Sequence, residues 1–139
     1  MSAPRIDHIG IIVDDLDAAV ERFTLLLGVA SERRDLPEVE LRIAEFRTEN
    51  LTIELIAYDG PAELARRVMG SDAGINHMTL SVDNLDAALK RLGAAGFRSQ
   101  PGFPRRGAHG TVVFFERDAA TGLLFELCAP DARKAEEPS

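Results

Sequence analysis

The chain has 139 residues, enough for one ordinary domain with a real core, and its 45% hydrophobic and 28% charged residues are those of a globular protein. A net charge of −7 argues against a nucleic-acid partner, which needs a basic face, but not against a small anionic substrate. No apolar run approaches the roughly 20 residues of a membrane helix, Met1–Asp7 has no signal-peptide core, and the single cysteine, Cys128, excludes an internal disulfide and suits a reducing cytoplasm.

In chain order, Ile6–Val13 is rich in β-branched and apolar residues and predicts a strand. Asp14 or Asp15 then offers an N-cap, Leu16, Ala19, Val20, Phe23 and Leu27 recur at helical spacing, and Gly28 stops the helix. Strands are expected over Val29–Arg34, Val39–Arg47 and Leu51–Ala57. Pro61–Met69 predicts a short linking helix between Gly60 and Gly70. The same order then returns. A strand is expected over Ile75–Val82, with a cap at Asp83 or Asn84. A helix carries Leu85, Ala88, Leu89 and Leu92, and Gly96 stops it. Strands follow over Phe97–Gln100, Thr111–Glu116 and Leu123–Cys128. The polar tail, residues 131–139, is expected to be flexible.

This is an internal repeat. Ile6–Phe23 and Ile75–Leu92 align at an offset of 69, with nine of 18 positions identical, His8/His77 and Asp17/Asp86 among them. The modules also end alike, in Ile53-Glu54-Leu55 and Phe125-Glu126-Leu127, at an offset of 72. About three residues have therefore been gained between the second helix and the last strand. The fold expected is α+β: two tandem βαβββ modules forming a curved mixed sheet around a metal-binding cleft. Residues 1–130 are expected to form one domain, with module one at 5–58, the linker helix at 61–70 and module two at 74–130.

Strand parity picks out the chemistry, because successive side chains point to opposite faces. Ile9, Ile11 and Val13, and Met78, Leu80 and Val82, belong to the faces the helices cover. His8 and His77 fall opposite, as do Glu54 and Glu126. A carboxylate within an Ile/Leu/Phe strand is costly unless something neutralises it. A lone strand histidine is ordinarily a packing residue, but a His/Glu pair recurring at equivalent positions is hard to explain by packing. Two imidazoles and two carboxylates suit a divalent ion such as Co, Zn, Ni, Mn or Fe.

These residues give the chain a resemblance to the vicinal oxygen chelate superfamily over about Arg5–Pro130. Within it the nearest likeness is to methylmalonyl-CoA epimerases. It is carried by Gly74-Ile-Asn-His-Met78, Arg105-Arg-Gly-Ala-His-Gly110 and Ala120-Thr-Gly-Leu-Leu-Phe-Glu-Leu-Cys128. The resemblance implies a metal held by His8, Glu54, His77 and Glu126, and inversion of C2 of methylmalonyl-CoA or a similar 2-substituted malonyl thioester through an enolate. It points to Glu126 as one base and leaves Glu54 or Glu45 for the other, with a solvated surface carboxylate as the plainer reading of Glu45. Arg106, Gly107, Ala108, His109 and Gly110 form a basic, glycine-flanked loop that either contacts the acyl-CoA or is an ordinary hairpin. Arg66 and Arg67 read as a solvated face or a CoA contact, and Cys128 as a small hydrophobe. A cytoplasmic homodimer is expected by family analogy. The alternatives are a glyoxalase I-type lyase acting on a thiol hemithioacetal, and a non-catalytic antibiotic-binding protein. An extradiol dioxygenase fits less well, since it uses two histidines and one carboxylate.

Overall fold

The computed structural model describes residues 4–107 and 109–131. The fold is α+β, with tandem βαβββ-like modules. The chain divides into two compact units at positions inside the repeated strands. One is His8–His77, and the other joins the chain before His8 to the chain from Met78 onward.

The first module runs β1 (Arg5–Ile12), α1 (Leu16–Leu27), β2 (Glu32–Leu36), β3 (Leu41–Arg47) and β4 (Thr52–Tyr58). Asp15 caps α1 by accepting from the Ala18 N–H, and Gly28 ends it in the left-handed region at φ 72°. The strands lie in the order β2-β3-β4-β1. β1 runs parallel to β4 and the other pairs are antiparallel, so the sheet is mixed. Leu16, Ala44, Phe46, Leu55 and Ala57 form the core beneath α1, with Ile11, Val13 and Phe23 packed against them. The opposite parity of β3 and β4 carries Ile43, Glu45, Glu54 and Ile56, all buried. β2 starts and ends later than expected, because a 3₁₀ turn, Pro37–Val39, now separates it from β3.

The linker helix α2 (Glu63–Met69) is shorter than expected, since Ala62 stands in the left-handed region at φ 46°. The Arg66 guanidinium lies 4.2 Å from the centre of the Tyr58 ring and donates through Nε to the Pro61 carbonyl. The guanidinium is thus stacked on an aromatic face rather than wholly solvated.

The second module runs β5 (Gly74–Ser81), α3 (Leu85–Ala94), β6 (Arg105–Arg106), β7 (Gly110–Phe114) and β8 (Leu124–Pro130). Asn84 caps α3 through the Ala87 N–H. The core of this unit is Val113, Phe115 and Leu127, with Leu80, Leu89 and Phe97 against it. One expected strand is corrected. Phe97–Gln100 reduces to an isolated bridge between Ser99 and Phe115, and the paired edge resumes at Arg105–Arg106, where a loop was expected. The break is Pro101-Gly102-Phe103-Pro104. Its two prolines have no N–H to give a ladder, and Gly102 takes φ 88°.

Register locates the three-residue gain. Glu45 opposes Glu54 and Phe114 opposes Glu126. Phe114 lies 69 residues after Glu45, and Glu126 lies 72 after Glu54, so the extra residues fall between β7 and β8. That turn is held by Asp118, whose carboxylate accepts from the backbone N–H and the hydroxyl of Thr121.

Candidate metal centre

Three of the four expected ligands come together in the His8–His77 unit. β1 supplies His8, β4 supplies Glu54, and β5 supplies His77. His8 Nε2 lies 3.4 Å from His77 Nε2 and 3.8 Å from Glu54 Oε2. The three donor atoms fall within 4.8 Å of one another. Ligands bonded at about 2.0–2.1 Å in a tetrahedral arrangement stand about 3.4 Å apart, so the set is nearly at coordination spacing. The two rings meet edge to face, with an interplanar angle of 85°. Two nitrogens converging with a carboxylate oxygen are the donor set of a divalent cation, and the residues fit one.

His77 is prepared for that role. It is 2% exposed, and its Nδ1 lies 2.9 Å from the Asn76 Oδ1. The Asn76 amide is itself oriented, since its Nδ2 donates to the Met69 carbonyl at 2.8 Å. An Nδ1–H donated to Asn76 leaves the Nε2 lone pair facing His8. Burial first, and the neighbouring His8 second, lower the His77 pKa from 6.5 to about 3. The imidazole is neutral at pH 7, as a ligand must be. Asn76 was not singled out in the sequence; its signal is the repeat, in which Asp7 precedes His8 as Asn76 precedes His77.

A pH dependence follows. The unfolded imidazole titrates near 6.5 and the folded one near 3, so between these values the unfolded chain binds the extra proton. The metal-free protein should lose about 2 kcal/mol between pH 7 and pH 5 through this residue. The check is NMR of the chelated protein. The His77 ring resonances should stay those of a neutral imidazole down to pH 4, and titration near 6.5 would contradict the geometry.

Gly10 makes room for the ring. A Cβ at Gly10 would stand 2.2 Å from His77 Cε1 and 2.5 Å from Nε2. It sits inside β1, opposite Glu54 in the β1–β4 register. A glycine inside a strand is a mark of close approach, and here the visitor is a ligand ring.

Glu126 belongs to the second unit and is 6% exposed. Thr79, fully buried on β5, donates its hydroxyl to Glu126 Oε1 at 2.5 Å. Thr79 falls on the parity expected for the functional face, although no role was drawn for it. Cys128 is 8% exposed, and burial, assisted by Asp7, pushes its thiol up to about 11. It stays protonated and packs as a small apolar group.

Glu45 is corrected from a solvated carboxylate to a buried one, at 8% exposure. Its neighbour Arg34, at the end of an expected strand, carries no motif in the sequence that marks it. Arg34 Nη1 lies 3.1 Å from Glu45 Oε1 and Nη2 lies 3.5 Å from Glu54 Oε2.

Of the expected substrate loop, Arg106 is exposed and its guanidinium is engaged by both carboxylate oxygens of Asp131. The Gly107 N–H donates to the Gly110 carbonyl at 2.7 Å. Gly110 is required by packing, because a Cβ there would stand 2.2 Å from the Ala129 carbonyl oxygen. His109 accepts from the Asp131 N–H through its carbonyl, at 3.2 Å. Ala108 lies outside the described residues, as does 132–139 of the expected tail.

Comparison with known proteins places the chain in a family. The model of the glyoxalase/bleomycin resistance protein/dioxygenase superfamily matches residues 7–115. The human mitochondrial methylmalonyl-CoA epimerase is 32% identical over 88% of this chain and 72% of its own. The structure of methylmalonyl-CoA epimerase from Mycobacterium tuberculosis superposes with a TM-score of 0.74 at 28% identity, over 99% of this chain and 97% of its own. A variant of the Streptomyces coelicolor methylmalonyl-CoA epimerase, in complex with 2-nitronate-propionyl-CoA, superposes at 0.72 and 27% identity, over 99% and 100%. The chain belongs to the glyoxalase/bleomycin resistance protein/dioxygenase superfamily, and methylmalonyl-CoA epimerases are among its similar members.

Proposed function

We propose that the protein is a metal-dependent epimerase that inverts C2 of methylmalonyl-CoA or a similar 2-substituted malonyl thioester. The observation that carries this is the convergence of His8, Glu54 and His77 at coordination spacing, in a chain similar along most of its length to epimerases of that substrate. C2 lies between a carboxylate and a thioester, and its proton is only weakly acidic. A bound divalent ion supplies a Lewis acid for the oxygen on which negative charge grows.

The protein's own groups move the proton. Glu126 is the base of this proposal and the fourth ligand. It occupies in the second module the place that Glu54 holds in the first, and the Thr79 hydroxyl orients its carboxylate. Inversion needs a second group on the other face of the planar intermediate, and Glu54 is assigned that transfer. Residues 106–110 are assigned to the acyl-CoA, through backbone N–H groups and the Arg106 guanidinium once it exchanges Asp131 for a phosphate. A homodimer belongs to the same proposal, since Leu25 and Leu26 are 72% and 75% exposed, apolar surface that a second copy would cover. A cytoplasmic location completes it.

The test is a competition of substrates and one variant. Turnover of methylmalonyl-CoA should greatly exceed that of a methylglyoxal–thiol hemithioacetal. Glu126→Gln should slow epimerisation by about 10²–10⁴-fold, the usual contribution of a positioned base. Preference for the hemithioacetal would replace the reading with a glyoxalase I-type lyase.

A further inference from the structure

Glu45 and Glu54 are directly opposed across β3 and β4, both are buried, and like charges in that relation repel. Arg34, on the neighbouring strand β2, lies against both of them. The closer contact, 3.1 Å, goes to Glu45, and the longer one, 3.5 Å, goes to Glu54 Oε2. That oxygen is the same one that faces His8 Nε2 at 3.8 Å. Glu54 Oε2 is therefore claimed from two sides, by the guanidinium and by the position an ion would take between the histidines. A guanidinium paired fully with Glu54 would compete with a metal for it. Glu45 supplies a countercharge to the same guanidinium, at the shorter of the two distances. The equivalent place in the second module is held by Phe114 opposite Glu126, where Glu45 opposes Glu54 in the first.

We propose that Glu45 is a positioning residue for the metal centre: it holds the Arg34 guanidinium so that the Glu54 carboxylate remains available to a divalent cation. The proposal rests on the metal site and not on the epimerase reading.

The experiment is titration of the chelated protein with Co²⁺, following affinity by calorimetry and the ligand field by visible absorption. Glu45→Gln leaves Arg34 to pair with Glu54, and should weaken Co²⁺ binding by about 10–100-fold and alter the cobalt spectrum. Removing the competitor as well, in Arg34→Met with Glu45→Gln, should restore most of the affinity. A merely structural role for Glu45 predicts no such rescue. Affinity of Glu45→Gln within twofold of wild type, or a double variant as weak as the single, overturns the proposal. Should Glu45→Gln not fold, Arg34→Met alone decides it: binding as tight as wild type or tighter is expected, and weaker binding overturns it. Absence of Co²⁺ uptake by the wild type would overturn the metal reading and this proposal with it, whereas Co²⁺ uptake without epimerisation would overturn only the function proposed above.

Discussion

Replacing His77 with alanine should abolish stable metal binding and lower turnover by about a thousandfold, roughly 4 kcal/mol of transition-state stabilisation. The ring supplies one of three converging donor atoms, so its loss leaves His8 and Glu54 without the third corner. It also leaves the Asn76 side chain without the imidazole at its Oδ1. Elemental analysis after dialysis against a trace of metal checks the first effect, and steady-state kinetics the second. Full metal content in His77→Ala would remove the residue from the site. Stability in the metal-free state should change in two opposed ways. A cavity is created, but the acid-sensitive burial of a neutral imidazole disappears. Loss of stability between pH 7 and pH 5 should accordingly be smaller in the variant than in the wild type.

The second large effect is expected from a single methyl group. Gly10→Ala places a Cβ within 2.2–2.7 Å of three atoms of the His77 ring. Separations below 3.0 Å force something to move, and the ring is fully buried with its Nδ1 against Asn76. The cost should be about 1–3 kcal/mol from overpacking, and the displaced Nε2 should leave coordination spacing. Metal affinity should then fall as far as it does in His77→Ala. Gly93→Ala is the control. Gly93 lies within α3, nothing stands within 4 Å of the Cβ it would gain, and alanine is the better helix former. Thermal melts of the two variants should shift in opposite directions. A Gly10→Ala protein with normal melting and normal metal content would show that the ring does not sit where the geometry places it.

These residues show what the sequence carried and what it did not. The repeat revealed the modules, and parity put His8, Glu54 and His77 on the faces away from the helices. Both readings depend on local periodicity and survive small errors in element boundaries. The edge strand of the second module did not survive. Ser99 pairs with Phe115, just beyond β7, in an isolated bridge, and Pro101 and Pro104 interrupt the ladder that Phe97–Gln100 would have continued. For Glu45 the sequence leaves a functional and a solvated reading open, and burial excludes the solvated one. The parity it shares with Ile43 does not tell a core face from a solvated one, and only the pairing with Glu54 and Arg34 decides between them. Arg34 itself comes from β2, a segment of mostly polar residues with no periodicity to place it. Gly10 and Asn76 act through contacts with His77 that no spacing rule encodes. The two modules differ at each of these points: Thr79 stands where the offset of 69 places Gly10, and Phe114 where it places Glu45. A repeat identifies what the halves share, whereas the site is built in part from their differences.

The central claim is metal-dependent exchange of one proton, and isotope incorporation reads it directly. Protein stripped of metal, then reconstituted with a single divalent ion, is incubated with methylmalonyl-CoA in D₂O. One deuterium should enter C2 at a rate that follows metal occupancy, and chelation should stop it. Absence of exchange with every divalent ion, or exchange that persists unchanged under chelation, would contradict the account.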